Sequence, residues 1–250
     1  MGSAIIAGIS KQYSVSVCEQ DQKRRRQLKQ KYKVQTGDLK TVVAGSQVVI
    51  LAVKPQNFEM ILDSIRPFVT KDHLIISIAA GITCRYIEKR LGPKAHVIRT
   101  MPNLPVRVGK GMTGICPGKV TVNGDLILAC RIFSFIGKAV VVEEKWMDAV
   151  TAVSGSGPAY LFLFIEHFIK AAVSLGLNKE LANDLVLQTV KGSMVLLEHQ
   201  SVEAGDLRAK VTSKGGTTQA AMDVFQKHQL EKVFKSALDA AKKRAKELSK

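Results

Sequence analysis

The sequence predicts an α/β fold in which a parallel-sheet domain is followed by an all-helical domain. Short apolar strands alternate with helical stretches over residues 1–145, as in βαβ units. After Trp146 the strand pattern stops, and the remaining segments have helical patterns. We therefore predict a nucleotide-binding domain over residues 1–145 and a helical domain over residues 146–250.

The predicted strands of the first domain are apolar on both faces, VVILAV being the clearest example. This pattern is typical of a parallel sheet that is covered by helices on both sides. Helices are predicted between the strands, for example over residues 22–32, 57–68 and 124–136. The strands are predicted over residues 15–19, 48–53, 74–79, 96–101 and 139–142.

Five helices are predicted in the second domain. The first contains LFLFIEHFIKAAVSLGL, which is apolar almost all round and is therefore expected to be buried. A region this apolar also suggests that a partner subunit covers part of it. The helices are predicted over residues 158–175, 179–198, 202–210, 218–227 and 230–248.

The net charge of +16 allows either a nucleic-acid partner or a basic enzyme with anionic ligands. The basic residues are spread along the chain, without an RNA-binding or helix-turn-helix signature, so we expect no nucleic-acid partner. No uninterrupted apolar run reaches the roughly 18–20 residues that a membrane span needs, and the start does not resemble a signal peptide. We therefore expect a cytoplasmic protein that is not bound to a membrane.

The four cysteines are widely spaced and form no CxxC pair. This spacing is typical of reduced thiols, and it predicts neither a disulfide framework nor a metal site. The cysteines are Cys18, Cys84, Cys116 and Cys130.

The first residues, MGSAIIAGI, match the end of a dinucleotide-binding motif, in which GxGxxG leads from a strand into a helix. Gly2 would be the last glycine and Ser3 would begin the helix, although a tag remnant could have the same sequence. Glu19 lies 17 residues after Gly2 (19 − 2 = 17), near the position of an acid that binds the ribose hydroxyls. A solvated strand end is an equally good interpretation of Glu19. The opening strand and the first two glycines of the motif do not occur, so we expect either a misplaced start or weakened cofactor binding.

Three further segments follow predicted strands, namely AVKPQ, SIAAGIT and MPNLP. Ligands of open α/β sheets bind at the carboxyl ends of the strands, so these segments could hold a cofactor. Each could equally be a simple turn, and Asn103 could stabilise a turn rather than contact a ligand. The cofactor-binding candidates here are Ala52, Val53, Lys54, Pro55, Ala79, Ala80, Gly81 and Asn103.

Near the C-terminus, VTSKGGTT runs directly into a helical pattern. Ser and Thr could simply cap that helix. Alternatively, the glycines could allow the backbone N–H groups of the turn to bind an anion. The residues alone leave both interpretations open.

Taken together, AVKP, SIAAG, MPNLP, SGSGPAY and VTSKGGTT resemble the pyrroline-5-carboxylate reductase family in their order and spacing. The resemblance covers essentially the whole chain, and SGSGPAY and VTSKGGTT are its specific motifs. It implies reduction of the cyclic imine 1-pyrroline-5-carboxylate to L-proline, the last step of proline biosynthesis, by hydride from NADPH or NADH. It also implies a homodimer through the C-terminal helices, which assembles into larger rings in some members.

The same resemblance implies the substrate site. The substrate carboxylate would lie on the turn, and the hydroxyl of Thr218 would reach the ring nitrogen. We give Thr218 a positioning and hydrogen-bonding role, since a hydroxyl is a weak acid. The carboxylate would be held by Ser213, Gly215, Gly216 and Thr217.

The departures from the family pattern concern mainly the cofactor. Gln20 stands where the family often carries Arg, and its neighbour Glu19 would repel a 2′-phosphate, which favours NADH slightly. The basic run Lys23–Arg26 could still bind that phosphate. Two other hypotheses therefore remain: a non-catalytic or cofactor-impaired relative with a binding or regulatory role, and a reductase of another imine or keto acid.

Overall fold

The computed structural model describes residues 1–200 and 202–249. The chain divides into two compact units, of which unit 1 comprises Met1–Pro158 and Asp239–Lys250 and unit 2 comprises Ala159–Leu238. The boundary predicted between residues 145 and 146 falls inside unit 1. The reason is that Met147 is fully buried in the hydrophobic core of the sheet.

Unit 1 contains two sheets. The strands β1 (Ser16–Val17) and β2 (Gln35–Thr36) form a short parallel pair. A five-stranded sheet follows in the order β3–β4–β5–β6–β7, with one antiparallel pair, β5 and β6. Its strands are β3 (Val48–Leu51), β4 (Leu74–Ser77), β5 (His96–Pro102), β6 (Gly111–Pro117) and β7 (Gly137–Val141).

The sequence pattern did not reveal β6, which pairs antiparallel with β5 in a sheet that is otherwise parallel, as predicted. A short 3-10 turn, Leu104–Val108, ends at Gly109 in the left-handed conformation with φ +70°. This tight connection reverses the chain without a crossover helix, so β6 runs back beside β5. The remaining neighbours in the sheet pair in parallel, as predicted.

Helices cover both faces of the sheet, which confirms the interpretation of its doubly apolar strands. On one face, Phe58 and Ile87 pack in a core that includes Ile75 of β4. On the other face, Ile5 and Phe133 pack in a core that includes Ile76. The helices of this unit are α1 (Gly2–Ile9), α2 (Gln22–Tyr32), α3 (Leu39–Ala44), α4 (Phe58–Ile65), α5 (Cys84–Leu91), α6 (Asn123–Ser134) and α7 (Met147–Val150).

Several of these helices begin at a side-chain cap. Asp21 accepts a hydrogen bond from the Arg24 N–H at 2.9 Å, and Asp38 accepts one from the Thr41 N–H at 2.7 Å. The bond from the Thr41 N–H also holds the pKa of Asp38 below its ordinary value. These caps satisfy N–H groups that the first turn of a helix leaves unpaired.

Unit 2 is helical and has a small core of its own, formed by Ala172, Ala182 and Val186. The predicted helices are present, with ends shifted by one or two residues. They are α8 (Gly157–Ser174), α9 (Lys179–Gln200), α10 (Ala204–Lys210), α11 (Thr217–Lys227) and α12 (Leu230–Glu247), of which α12 belongs to unit 1 from Asp239 onward.

The burial predicted for α8 is wrong within the single chain. Phe162 is 55% exposed and Phe164 is 47% exposed, because the small core of unit 2 offers too little apolar surface to cover them. The helical run over residues 144–174 is apolar and long enough to cross a membrane by length and composition, and only 6% of its most apolar window is buried. One such helix is weak support for a membrane, whereas large exposed apolar patches commonly mark protein interfaces.

Candidate active site

The segments AVKP and SIAAG meet at one edge of the five-stranded sheet. The first follows β3 and the second follows β4, and these strands are neighbours whose last residues, Leu51 and Ser77, pair in register. Carboxyl ends of adjacent parallel strands form the ligand-binding edge of an open α/β sheet. The arrangement therefore supports the prediction that both segments contact one ligand.

The first turn of α1 lies against this edge. A Cβ atom on Gly2 would lie 3.2 Å from the Cβ of Ala52, so glycine permits close packing of the helix on the end of β3. No side chain caps α1, which leaves the N–H groups of Gly2 and Ser3 available to a phosphate, while the Ala4 N–H bonds the Met1 carbonyl at 2.8 Å. The residues present therefore fit the last glycine and the helix start of a dinucleotide site.

Glu19 follows β1 and is not a free, solvated strand end. Its carboxylate accepts a hydrogen bond from the Asp21 N–H at 3.2 Å and pairs with Arg24 Nε at 3.3 Å. The Arg24 charge thus partly neutralises the acid that would discriminate between ribose hydroxyls and a 2′-phosphate.

A basic cleft of about 420 Å³ lies beside this ion pair. Three of its side chains carry positive charge and one carries negative charge, so the cleft favours an anion. Its lining reaches from the first turn of α1 to the end of α2 and comprises Ser3, Asp21, Lys23, Arg24, Gln27, Leu28, Lys31 and Tyr32.

Asn103 is buried, and its side chain is bonded to the backbone of its own unit. Its amide donates to the Ser154 carbonyl at 3.0 Å and accepts from the Met112 N–H at 2.9 Å. These bonds favour the turn-stabilising interpretation over cofactor binding. Contact with a cofactor stays a prediction for this residue.

Gly81 has a structural role that is independent of any ligand. It has a φ of +74°, and a Cβ atom there would lie 2.5 Å from the carbonyl oxygen of Leu248. The positive φ favours glycine, and the close packing of Leu248 on this loop leaves no room for a side chain.

The SGSGPAY motif forms an irregular entry into α8. Thr151–Gly155 is a π-helical turn closed by a hydrogen bond from the Ser156 N–H to the Thr151 carbonyl, and Pro158 follows in the first turn of α8, as predicted. A Cβ atom on Gly155 would lie 2.6 Å from Met101 Cε. Ser154 and Gly155 therefore contact the MPNLP segment, and the close approach of Met101 explains the glycine at position 155.

The turn formed by VTSKGGTT precedes α11 and does not cap it. Gly216 is the N-cap residue, and no side chain bonds to the first N–H groups of α11. Gly215 has a φ of +73°, and the Gly216 N–H bonds back to the Ser213 carbonyl at 3.0 Å. The capping interpretation thus loses its support, and the turn presents unpaired N–H groups that could bind an anion.

A buried polar cluster on β5 and β6 carries no sequence motif, and sequence reasoning missed it. Arg99 is 3% exposed, bonds Glu144 at 2.5 Å and lies 3.8 Å from Asp148. Glu144 also faces two buried thiols. A hydrogen bond with Cys116, burial and the Glu144 charge raise the pKa of the Cys84 thiol.

Comparison with known proteins identifies the family of this chain. Residues 144–248 match the family described as pyrroline-5-carboxylate reductase dimerisation. The pyrroline-5-carboxylate reductase 2 of Bacillus subtilis is 36% identical over 244 residues, which cover 97% of this chain and 87% of that protein. This chain belongs to the pyrroline-5-carboxylate reductase family. The family assignment confirms the resemblance found in the motifs.

Two solved structures of the family show the same fold. The pyrroline-5-carboxylate reductase of Coxiella burnetii has a TM-score of 0.93 and 36% identity, with 100% of this chain and 95% of that chain covered. The Plasmodium falciparum enzyme, solved with NADP bound, has a TM-score of 0.90 and 29% identity at the same coverage. Residues 1–81 match the family described as NADP oxidoreductase, coenzyme F420-dependent. The nucleotide-binding character of the sheet domain is thereby confirmed.

Proposed function

We propose that this chain reduces 1-pyrroline-5-carboxylate to L-proline with NADPH or NADH. The observation that carries the proposal is the uncapped, glycine-containing turn at the start of α11 in a chain of this family. A non-catalytic role is not favoured, because the named relatives are reductases and the turn is intact.

The turn supplies the carboxylate site through its backbone. Gly215 provides the left-handed residue that bends the chain, and Gly216 leaves room where a Cβ atom would lie 2.4 Å from Ser213 Oγ. The N–H groups of Thr217 and its neighbours then bind the carboxylate with the favourable field of a helix N-terminus. The exposed Lys214 adds a positive charge to the same turn.

Thr218 positions the ring. Its hydroxyl donates to or accepts from the ring nitrogen and holds the imine carbon in a reactive orientation, which is the main contribution a protein makes to such a reaction. The nicotinamide cofactor supplies the hydride when it is bound. In unit 1, Gly2 and Ser3 would hold its pyrophosphate, and the segments at the β3 and β4 ends would line the rest of its site. The latter segments contain Ala52, Val53, Lys54, Pro55, Ala79, Ala80 and Gly81.

The first test is oxidation of NADPH and of NADH by the purified chain with 1-pyrroline-5-carboxylate. We expect turnover, and we expect Thr218→Val to lower kcat about tenfold, as loss of one hydrogen bond to the reacting ring predicts. Thr212→Val is the matched control, because the Thr212 hydroxyl donates to the Arg208 carbonyl at 2.7 Å and is already engaged. No turnover with either cofactor, or equal losses in the two variants, would contradict the proposal.

The Glu19–Arg24 pair is proposed to set cofactor preference. Glu19→Gln should raise the ratio of kcat/KM for NADPH to that for NADH about tenfold, because Arg24 then meets a phosphate without a competing carboxylate. Arg24→Ala should lower the same ratio. Lys29→Ala, on the same helix but outside the cleft lining, should leave it unchanged. An unaltered ratio in the first two variants would show that the pair has no such role.

The homodimer is proposed to form through the helices of unit 2. The family match over residues 144–248 supports self-association, and the exposed apolar side chains of α8 provide the surface. The proposed compartment is the cytoplasm, and no nucleic-acid partner is proposed.

A further inference from the structure

Three side chains from distant parts of unit 1 bring metal-binding atoms together. Cys84 begins α5, Cys116 lies on β6, and Glu144 begins the 3-10 turn before α7. The two sulfurs and a carboxylate oxygen all lie within 4.8 Å of one another. Within the part of the chain that the structure describes, this is the one group of three such side chains.

The two oxygens of the Glu144 carboxylate contact different partners. Oε1 bonds Arg99, and Oε2 lies 3.5 Å from Cys116 Sγ and 3.4 Å from the Cys84 N–H. Arg99 is therefore already balanced by Oε1, with Asp148 at 3.8 Å. A cation at Oε2 would therefore not compete with Arg99 for Oε1. The two sulfurs, as thiolates, would compensate its charge.

The distances suit a thiolate-bound divalent cation. Zinc binds sulfur at about 2.3 Å, which in a tetrahedral site places two sulfurs roughly 3.8 Å apart. Because the ligand atoms lie within 4.8 Å of one another, the two sulfurs are at most about 1 Å farther apart than this separation. Two sulfurs and one oxygen suit Zn²⁺ or Cd²⁺, and they disfavour Mg²⁺ and Ca²⁺, which prefer oxygen ligands.

We propose that Cys84, Cys116 and Glu144 form a binding site for a thiophilic divalent cation of the Zn²⁺ class. Each thiol releases its proton to solvent as its sulfur–metal bond forms, and no electron is transferred. The thiols are 4% and 1% exposed, whereas the Glu144 side chain is 39% exposed and gives the ion and a fourth, water ligand a path to the site. The bound ion would join the start of α5 to β6 and to the chain before α7, and so stabilise unit 1.

The test uses the full chain with Cys18→Ser and Cys130→Ser, so that only the two proposed ligands remain as thiols. Titration of this protein, purified without a histidine tag, with Cd²⁺ and with Co²⁺ should show one bound ion, thiolate-to-metal charge-transfer absorption and release of two protons. Zn²⁺ should raise its melting temperature, and Mg²⁺ should not. A lack of charge-transfer absorption in this protein would overturn the proposal.

Single-ligand variants identify the donors. Cys84→Ser and Cys116→Ser, each made in the same background, should weaken Cd²⁺ binding at least tenfold while circular dichroism remains native. Cys130→Ser alone is the matched control and should bind Cd²⁺ like the unmodified chain. Unchanged affinity in both ligand variants would show that the thiols only pack in the core. If a ligand variant does not fold, the spectrum and proton count of the two-thiol background still decide the question.

Discussion

Replacement of Leu161 and Phe168 with glutamate together is expected to convert the homodimer into a monomer. These side chains are 46% and 41% exposed and lie seven residues apart on one face of α8. Between them, the Phe164 ring packs against Phe168 with a centroid distance of 5.8 Å, so the face presents a continuous apolar surface. Burial of each large side chain contributes about 1.5–3 kcal/mol, and a buried, unpaired carboxylate would cost several kcal/mol instead.

Sedimentation or light scattering of the purified variant measures this change directly. Glu166→Gln is the control on the same helix, because it removes only the exposed ion pair with Lys170 at 2.5 Å. It should leave the assembly and the activity intact. A double-glutamate variant that still sediments as a dimer would exclude this face of α8 from the interface.

Replacement of Glu144 with alanine is expected to lower the free energy of unfolding by about 3 kcal/mol, because it leaves a buried guanidinium with one weak partner. Arg99 is 3% exposed and bonds Glu144 at 2.5 Å, while Asp148 is 3.8 Å away. Urea unfolding followed by circular dichroism, in the presence of a chelator, measures the loss. The chelator separates the ion pair from any contribution of a bound metal.

Glu143→Ala is the matched control, one residue away. Glu143 pairs with Lys145 at 2.9 Å, and the two side chains are 69% and 62% exposed. Such a surface pair contributes about 0–1 kcal/mol, so the stability should change little. Equal losses in the two variants would mean that the buried position of Arg99 confers no special dependence on Glu144.

Local patterns predicted most of the secondary structure and the candidate substrate turn. The predicted α2 and α9 begin at the observed residues, because apolar periodicity and caps such as Asp21 act within a few residues of sequence. The motif VTSKGGTT indicated both capping and anion binding, since both use the same residue types. The choice needed the backbone geometry, in which Gly216 stands at the N-cap without a side-chain bond.

The exposure of α8 could not be predicted from its own composition. A helix that is apolar on all sides is normally buried, but its composition does not show whether its own chain or a second copy of the chain covers it. The structure decides this, since the small core of unit 2 leaves Phe162 and Phe164 exposed.

The sequence by itself determined the α/β order of the chain, the helices of its second half and the family motifs, because these depend on periodicity and on neighbouring residues. Only the tertiary structure decided that β6 runs antiparallel to β5 and that the Asn103 side chain bonds the Ser154 carbonyl. It also decided that Cys84, Cys116 and Glu144 lie together. Cys84 and Glu144 are 60 residues apart in the chain and are brought together by strand pairing and helix packing. Contacts of this kind leave no local pattern, because their spacing in the sequence is set by the elements between them.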